Sequence, residues 1–545
     1  MVQVLCRLLP GLALLAPPAL SQTEVLVATG DPLPGIGTVH EVLDLELHGE
    51  RWVATVRGDA QGPAESALVV DGQVLARSGD PQLGSPQAFL GARSAGLDDL
   101  GHVSYLNDDL LTSGSSAQGV YRDLELVRQT GDQIGTPPFS ATTVYLGFDQ
   151  LEVEGAGSLL LVAKVDDPGD ALPPERALLR LAPQVDGSWS TQLLARTGDQ
   201  PAGSPSPIVT LPAAPNSMAS NAGGELLAFV AYQSHGQAIT KDLLPIAKVG
   251  DPAPVFGRSW YWLANTPMTL NDQGDVAFGG LLDGDFATRE ILIWNGIKLA
   301  QEGDVLPAIA PYALDDLGLS TVPTAQLRLT DAGQVLWYGS WTDPDPDLDE
   351  GLFLDHELLV REGATRVEGA EVVDLDRSVF DVTANGDWIG FRAQLSDGRT
   401  GAFRLRPKGG LDLVPGCAPN PSELAVWSIP QQGSSLIVSL HGAQADGVLG
   451  FGVFATDLAL DASACGITLP GIGEVLIDLS AAPLLIPTLA PAAGSWASIF
   501  IQSLPVDPQL AGSTFHVQGL WLDAIGVAPG EPVRLTNAVS LSFGI

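Results

Sequence analysis

Between residues 24 and 407 short apolar runs alternate with breaks rich in Gly, Asp, Asn and Pro, and almost no stretch carries a helical period. One run, ending in Gly-Asp, recurs. It reads VLVATGDPLPG (25–35), VLARSGDPQLG (74–84), LVRQTGDQIG (126–135), LLARTGDQPAG (193–203), IAKVGDPAP (246–254) and LAQEGDVLP (299–307). A seventh copy, LLVREGATRVEG (358–369), keeps Gly363 but has Ala364 in place of the aspartate. Between copies lies a turn motif, clearest in LDDLGHVSY (97–105), LNDQGDVAF (270–278) and LTDAGQVLW (329–337). There Asn or Asp caps its own backbone and glycine takes the positive φ that launches a strand. Alternating apolar residues follow, then GVY (119–121), GLF (351–353) or GAF (401–403). Each unit reads as roughly four short strands in about fifty residues, the signature of a propeller blade.

The two motifs are out of phase. The Gly-Asp strand at 24–31 precedes every turn motif, and none follows the last turn motif, VTANGDWIGF (382–391). If the final unit borrows the N-terminal strand, seven units close into a ring without a free edge, which removes a template for aggregation. The alternatives are a ring of six or eight blades, or an open array that GGLDLVPG (409–416) finishes. The expectation is all-β: a probable seven-bladed propeller over 22–408, closed by its N-terminal strand, then a β-sandwich over 409–545. In that tail the strands SLIVSLHG (435–442), EVLIDL (474–479), SWASIFIQSL (495–504) and TFHVQGLWLD (514–523) are legible.

Residues 1–21 read as a secretory signal: Arg7, an apolar run over 8–16, and small residues at Ala19 and Ser21. Pro10, Pro17 and Pro18 interrupt the run before it reaches spanning length, so no transmembrane segment is expected in the mature chain. Cleavage removes Cys6 and leaves Cys417 and Cys465, a pair that in an oxidising compartment is expected to bridge, the alternative being two buried thiols. A net charge of −38 argues against nucleic acid and anionic membrane as partners.

The motifs resemble those of exported bacterial tandem-repeat proteins, the choice-of-anchor NxxGxxxxR repeat proteins. Asn271, Asp272, Gly274, Val276, Ala277 and Phe278 match their first motif, and Gly30, Asp31, Pro32, Pro34 and Gly35 their second. Gly279 stands where that pattern has arginine; Phe391-Arg392-Ala393 approaches it. The tail is similar to a β-sandwich module that ends many exported proteins of environmental bacteria, through Cys417, Cys465, Pro505, Asp507, Pro508, Leu510, Gly512, Phe515, Gln518 and Asp523. These resemblances imply export and repetition, and no reaction.

Catalytic signatures are sparse. The seven histidines form no HxH or HExxH pattern, and neither GxSxG nor a P-loop occurs. No cofactor is expected, with calcium the one candidate: Asp343, Asp345 and Asp347 offer oxygens at alternate positions. Asp31, Asp80, Asp132, Asp199, Asp251 and Asp304 hold one equivalent position in successive units. Two readings stand: each carboxylate locks its own turn, or together they form an acidic rim that collects cations. The leading expectation is a non-catalytic binding or scaffold protein, secreted or envelope-associated, whose partner is a glycan or envelope component. A secreted propeller hydrolase of polysaccharide or small esters and a calcium-dependent adhesion module are the alternatives.

Overall fold

The computed structural model describes residues 23–407, except 59–65, 85–87, 108–117, 167–174, 321–324 and positions 202, 203, 205, 213, 215 and 235; beyond them it describes strands between 410 and 542 together with Leu476. The leader 1–21 and both cysteines of the expected bridge lie outside the described residues. Contacts separate a unit spanning Val25–Leu405 from a second that begins at Arg406.

The first unit is a ring of seven antiparallel sheets. In chain order the blades run from Pro32–Leu33 to Gln73–Arg77, Ala92–Leu97 to Glu125–Gln129, Val144–Val153 to Trp189–Arg196, Ile208–Thr210 to Leu244–Lys248, Trp260–Trp262 to Ile297–Gln301, Leu314–Asp316 to Glu357–Arg361, and Arg366–Val367 to Thr400–Leu405. Thr23–Ala28 is the outer strand of blade 7, beside Thr400–Leu405. Thr29 N–H donates to Thr400 O (2.8 Å) and Thr400 N–H to Thr29 Oγ1 (3.0 Å). A Cβ on Gly401 would lie 2.6 Å from Val27 O, so glycine there lets the two strands meet. Each inner strand packs on the next, and the inner strand of blade 7 packs on that of blade 1.

Packing explains why the middle strands do not alternate cleanly between apolar and polar. In blade 3, Leu159, Leu161, Ala163 and Val165 enter the core shared with blade 2, while Leu160 and Val162 enter the core shared with blade 4. The period of two survives, but both faces are apolar because both are covered. The N-terminal strand takes part in the same way: Val27 joins Val39, Val42, Trp52, Val379 and Trp388 between blades 7 and 1.

In the second unit, one sheet orders Gly410–Val414, Val533–Ser542, Thr514–Asp523, Val448–Ala455 and Leu484–Pro487, and another orders Glu423–Val426, Ser435–His441 and Ala497–Ser503. Gln518 of the first sheet donates to Thr536 O within it (2.8 Å) and accepts from Leu476 N–H outside it (3.0 Å). The structure gives the expected Cys417–Cys465 disulfide no support: among the described residues no cysteine pair forms a bridge, and both cysteines lie outside them. Among the described residues no helix is long and apolar enough to cross a membrane.

Closure can be tested at Gly401. Its replacement by valine should wedge Thr23–Ala28 from blade 7, lowering the denaturation midpoint and producing dimers through the bared edge. Equilibrium unfolding and size-exclusion chromatography would check this; a monomer of unchanged midpoint would contradict the closure.

Candidate functional site

Antiparallel pairing sends the Gly-Asp linkers between blades to one face of the ring, together with the loops joining the second and third strands of each blade. On this face every linker makes a two-bond clasp. Gly79 N–H donates to Phe89 O (2.8 Å), and Phe89 N–H returns a bond to Asp80 O (2.8 Å). The same pair recurs at Gly30/Val39, Gly131/Tyr145, Gly198/Ile208, Gly250/Trp260 and Gly303/Leu314. The glycines at these six positions sit at φ between 87° and 94°, where a side chain would be strained.

The six repeated aspartates stand inside these clasps. Asp31, Asp80, Asp132 and Asp199 each accept, at 2.7–3.0 Å, the backbone N–H three residues earlier. Asp80, Asp199, Asp251 and Asp304 also pair with Arg77, Arg196, Lys248 and Lys298. The seventh linker lacks the aspartate, and Thr365 takes over. Its Oγ1 accepts from Arg361 N–H (2.8 Å), and its carbonyl replaces that of aspartate in the bond from Val372 N–H.

On the opposite face the Asn/Asp turns latch neighbouring blades. Asn221 Nδ2 donates to Asn271 O, and Asn271 Nδ2 to Thr330 O, each at 2.9 Å. Side-chain cations reach the next blade's turn: Arg51 to Gly101 O (2.7 Å), Arg180 to Gly224 O (2.8 Å), Lys241 to Gly274 O (2.9 Å) and Arg404 to Glu50 O (3.0 Å).

A feature without a sequence signal lies just beyond each clasp. The residue that pairs with the glycine is buried, and the one after it is exposed in every blade: His40, Leu90, Leu146, Val209, Tyr261, Asp315 and Val373. In six blades this residue occupies a β-bulge, which re-aims a side chain away from the packed sheet. Five of these seven rim residues are apolar, with Leu90, Leu146 and Val209 43–47% exposed.

The inner strands also bring charge to the axis. Asp44 and Glu46 come from blade 1, Glu152 from blade 3, Arg328 from blade 6 and Asp381 from blade 7. Their charges act on one another although several of these blades are not neighbours, which places the groups across the central opening. Asp381 bridges three blades, accepting from Arg328 Nε (2.9 Å) and from Leu47 N–H (2.6 Å). Glu46 Oε1 accepts weakly from Leu97 N–H (3.4 Å). Enclosure by the inner strands raises all four carboxyls, with Glu152 pushed up to about 7. Asp381 adds to the rise at Asp44, Glu46 and Glu152, and Glu152 to that at Glu46, while Arg328 opposes it throughout.

A second group of carboxyls lies on the loop face where blades 6 and 7 meet. In blade 5, buried Glu302 receives the N–H groups of Arg289 (2.7 Å) and Glu290 (2.8 Å). Its counterpart in blade 6, Glu362, instead faces Glu350, Asp374, Asp349 and Asp347. Burial first, and then these charges, push it up to about 8. Beside it, Asp343 pairs with Arg361 (3.4 Å), while Asp345 and Asp347 donate backbone N–H groups to the preceding aspartates. Among the described residues no three His, Cys, Asp or Glu side chains are arranged to hold a metal ion. The chain matches no family model, and no curated protein is similar to it.

Two predictions follow from the raised carboxyls and the clasps. The unfolded chain releases the Glu152 and Glu362 protons near the ordinary value of 4.5, whereas the folded chain holds them to about 7 and 8. Stability should therefore be greatest on the acidic side of this window and fall as pH rises from about 5 to 8. Glu362→Gln should flatten that fall in a series of thermal melts. Separately, Asp199→Ala should cost about 1 kcal/mol in urea unfolding, the usual worth of a side-chain cap on backbone N–H.

Proposed function

We propose that the protein is an exported, non-catalytic binding or scaffold protein, acting at the cell surface or outside the cell, that presents the loop face of its ring to a partner. One observation carries the reading: seven equivalent positions face outward, six of them re-aimed by a bulge, and five carry apolar side chains. Folding gains nothing from apolar groups held in water, and a set that recurs around one face of the ring suits a contact surface. The linkers and loops on this face also differ in length between blades, as binding faces do. Export is read from the leader pattern, and the Gly-Asp and Asn-Asp motifs support a place among the exported tandem-repeat proteins they resemble. The five- and three-stranded sheets after residue 409 support a terminal β-sandwich serving as cap or retention element.

A hydrolase of polysaccharide or a small ester is the second reading. It is favoured by the converging throat carboxyls, of which Glu152 stays protonated to about 7 and so can serve as a general acid.

Co-sedimentation with a cell-envelope fraction separates the two. Binding should fall at least tenfold when Leu90, Leu146 and Val209 are all changed to serine, with the fold intact by circular dichroism. Retention equal to the parent, or polysaccharide turnover abolished by Glu152→Gln and untouched by the triple variant, would overturn the binding reading.

A further inference from the structure

Large apolar side chains exposed on the ring are aliphatic almost everywhere. The exceptions among the described residues are Phe256, Tyr261, Trp262 and Phe286, which are 104%, 60%, 43% and 73% exposed. All four belong to blade 5 or to the linker that enters it, and the local hydrogen bonds put them on the loop face.

Phe256 tips a turn closed by Ala253 N–H to Arg258 O (3.0 Å) and Arg258 N–H to Val255 O (3.2 Å). Arg258 then reaches the neighbouring loop, donating to Thr288 Oγ1 (3.1 Å) and approaching Asp283 (3.5 Å). Asp283 N–H donates to Ser259 O (2.9 Å), so the turn bearing Phe256 and the loop bearing Phe286 are tied together. Tyr261 stands at the bulge between the paired residues Trp260 and Trp262, which is why two successive aromatics face solvent after a buried one. Trp262 Nε1 donates to Ala264 O (2.8 Å), which fixes the indole and uses its one polar edge internally. What remains on offer is a ring face. Phe286 is likewise held, with the Arg289 guanidinium 4.8 Å from its centroid.

Exposed aromatic faces on loops that also carry carboxylates suit one class of ligand well. A pyranose ring presents C–H bonds that stack on an electron-rich aromatic face, while its hydroxyls donate to carboxylates such as Asp251, Asp283 and Asp285. A chain of net charge −38 repels polyanions, so the saccharide is uncharged. We propose that the loop face of blade 5 binds a neutral glycan chain by stacking on Tyr261 and Trp262, with Phe256 and Phe286 extending the contact along the chain. This deepens the binding reading and rests on it.

The test uses the full chain against cellohexaose, chitohexaose and maltohexaose by calorimetry. At least one should bind, and the Tyr261→Ala/Trp262→Ala double variant should weaken it tenfold or more. Ile297→Ser, on the opposite face, should leave it unchanged. Affinity unaltered in the double variant, or no binding of any of the three by the parent, overturns the assignment. If the parent still binds the envelope fraction through its rim residues, that failure leaves the binding reading standing. Cleavage of the oligosaccharides would remove both.

Discussion

Both faces of every blade are apolar, and that constraint organises the molecule. A sheet with one apolar face can settle against a single partner; these need a neighbour on each side. A linear string of such sheets would leave two faces and one strand edge bare. Burying a side chain of valine or leucine size is worth roughly 1.5–3 kcal/mol, and whole domains are stable by only about 5–15 kcal/mol. Exposing Val27, Val39, Val42 and Trp52 between blades 7 and 1 would consume much of that margin. Closing the circle with Thr23–Ala28 covers these residues and the edge of Thr400–Leu405 in one step. Residues far apart in the chain therefore fold as one cooperative layer.

The two faces solve the same problem with different chemistry. On the loop face the backbone does the joining, through glycine at φ near 90° and a pair of main-chain bonds to a residue near the start of the inner strand. On the other face side chains do it, as asparagine amides and arginine or lysine cations reach the carbonyls of the next turn. The main-chain clasp tolerates a change of side chain, which is why the ring survives Ala364. Thr365 supplies both an oxygen for Arg361 N–H and the carbonyl that Val372 needs, one residue later in the chain. Side-chain latches are more specific but less uniform, and they differ from one blade boundary to the next.

Blade number and closure were legible because glycine punctuates each unit at a place where no other residue sits easily, so the repeat survives drift in everything else. The rim was not legible. A bulge leaves no spacing signature, and His40, Leu90 and Asp315 have nothing in common as residue types. The throat was hidden for another reason: Glu152, Arg328 and Asp381 each stand five residues before the turn glycine of their unit, but the residue type at that place changes from unit to unit, and only the ring brings them to one axis with Asp44 and Glu46. Strict alternation was over-read in the middle strands, since Leu160 and Leu161 are both buried when each face has a neighbour. The expected Cys417–Cys465 bridge came from counting cysteines and compartment alone, with no geometry behind it.

The throat shows how a ring of this size handles the space its inner strands leave. Apolar packing across the axis would need side chains from several blades to meet, and here four carboxylates and Arg328 meet instead. Two of the carboxylates also do structural work, since Asp381 holds Leu47 N–H and Arg328, and Glu46 reaches Leu97 N–H. Arg328, with Arg392 acting on Asp44, cannot balance four carboxylates, and the raised carboxyls lower that imbalance by retaining protons, Glu152 up to about 7. The opening is thus held together by hydrogen bonds whose donors are fixed and whose acceptors change charge with pH. The rim residues are attached to these same inner strands, so the geometry of the contact surface and the protonation of the throat are properties of a single set of β-segments.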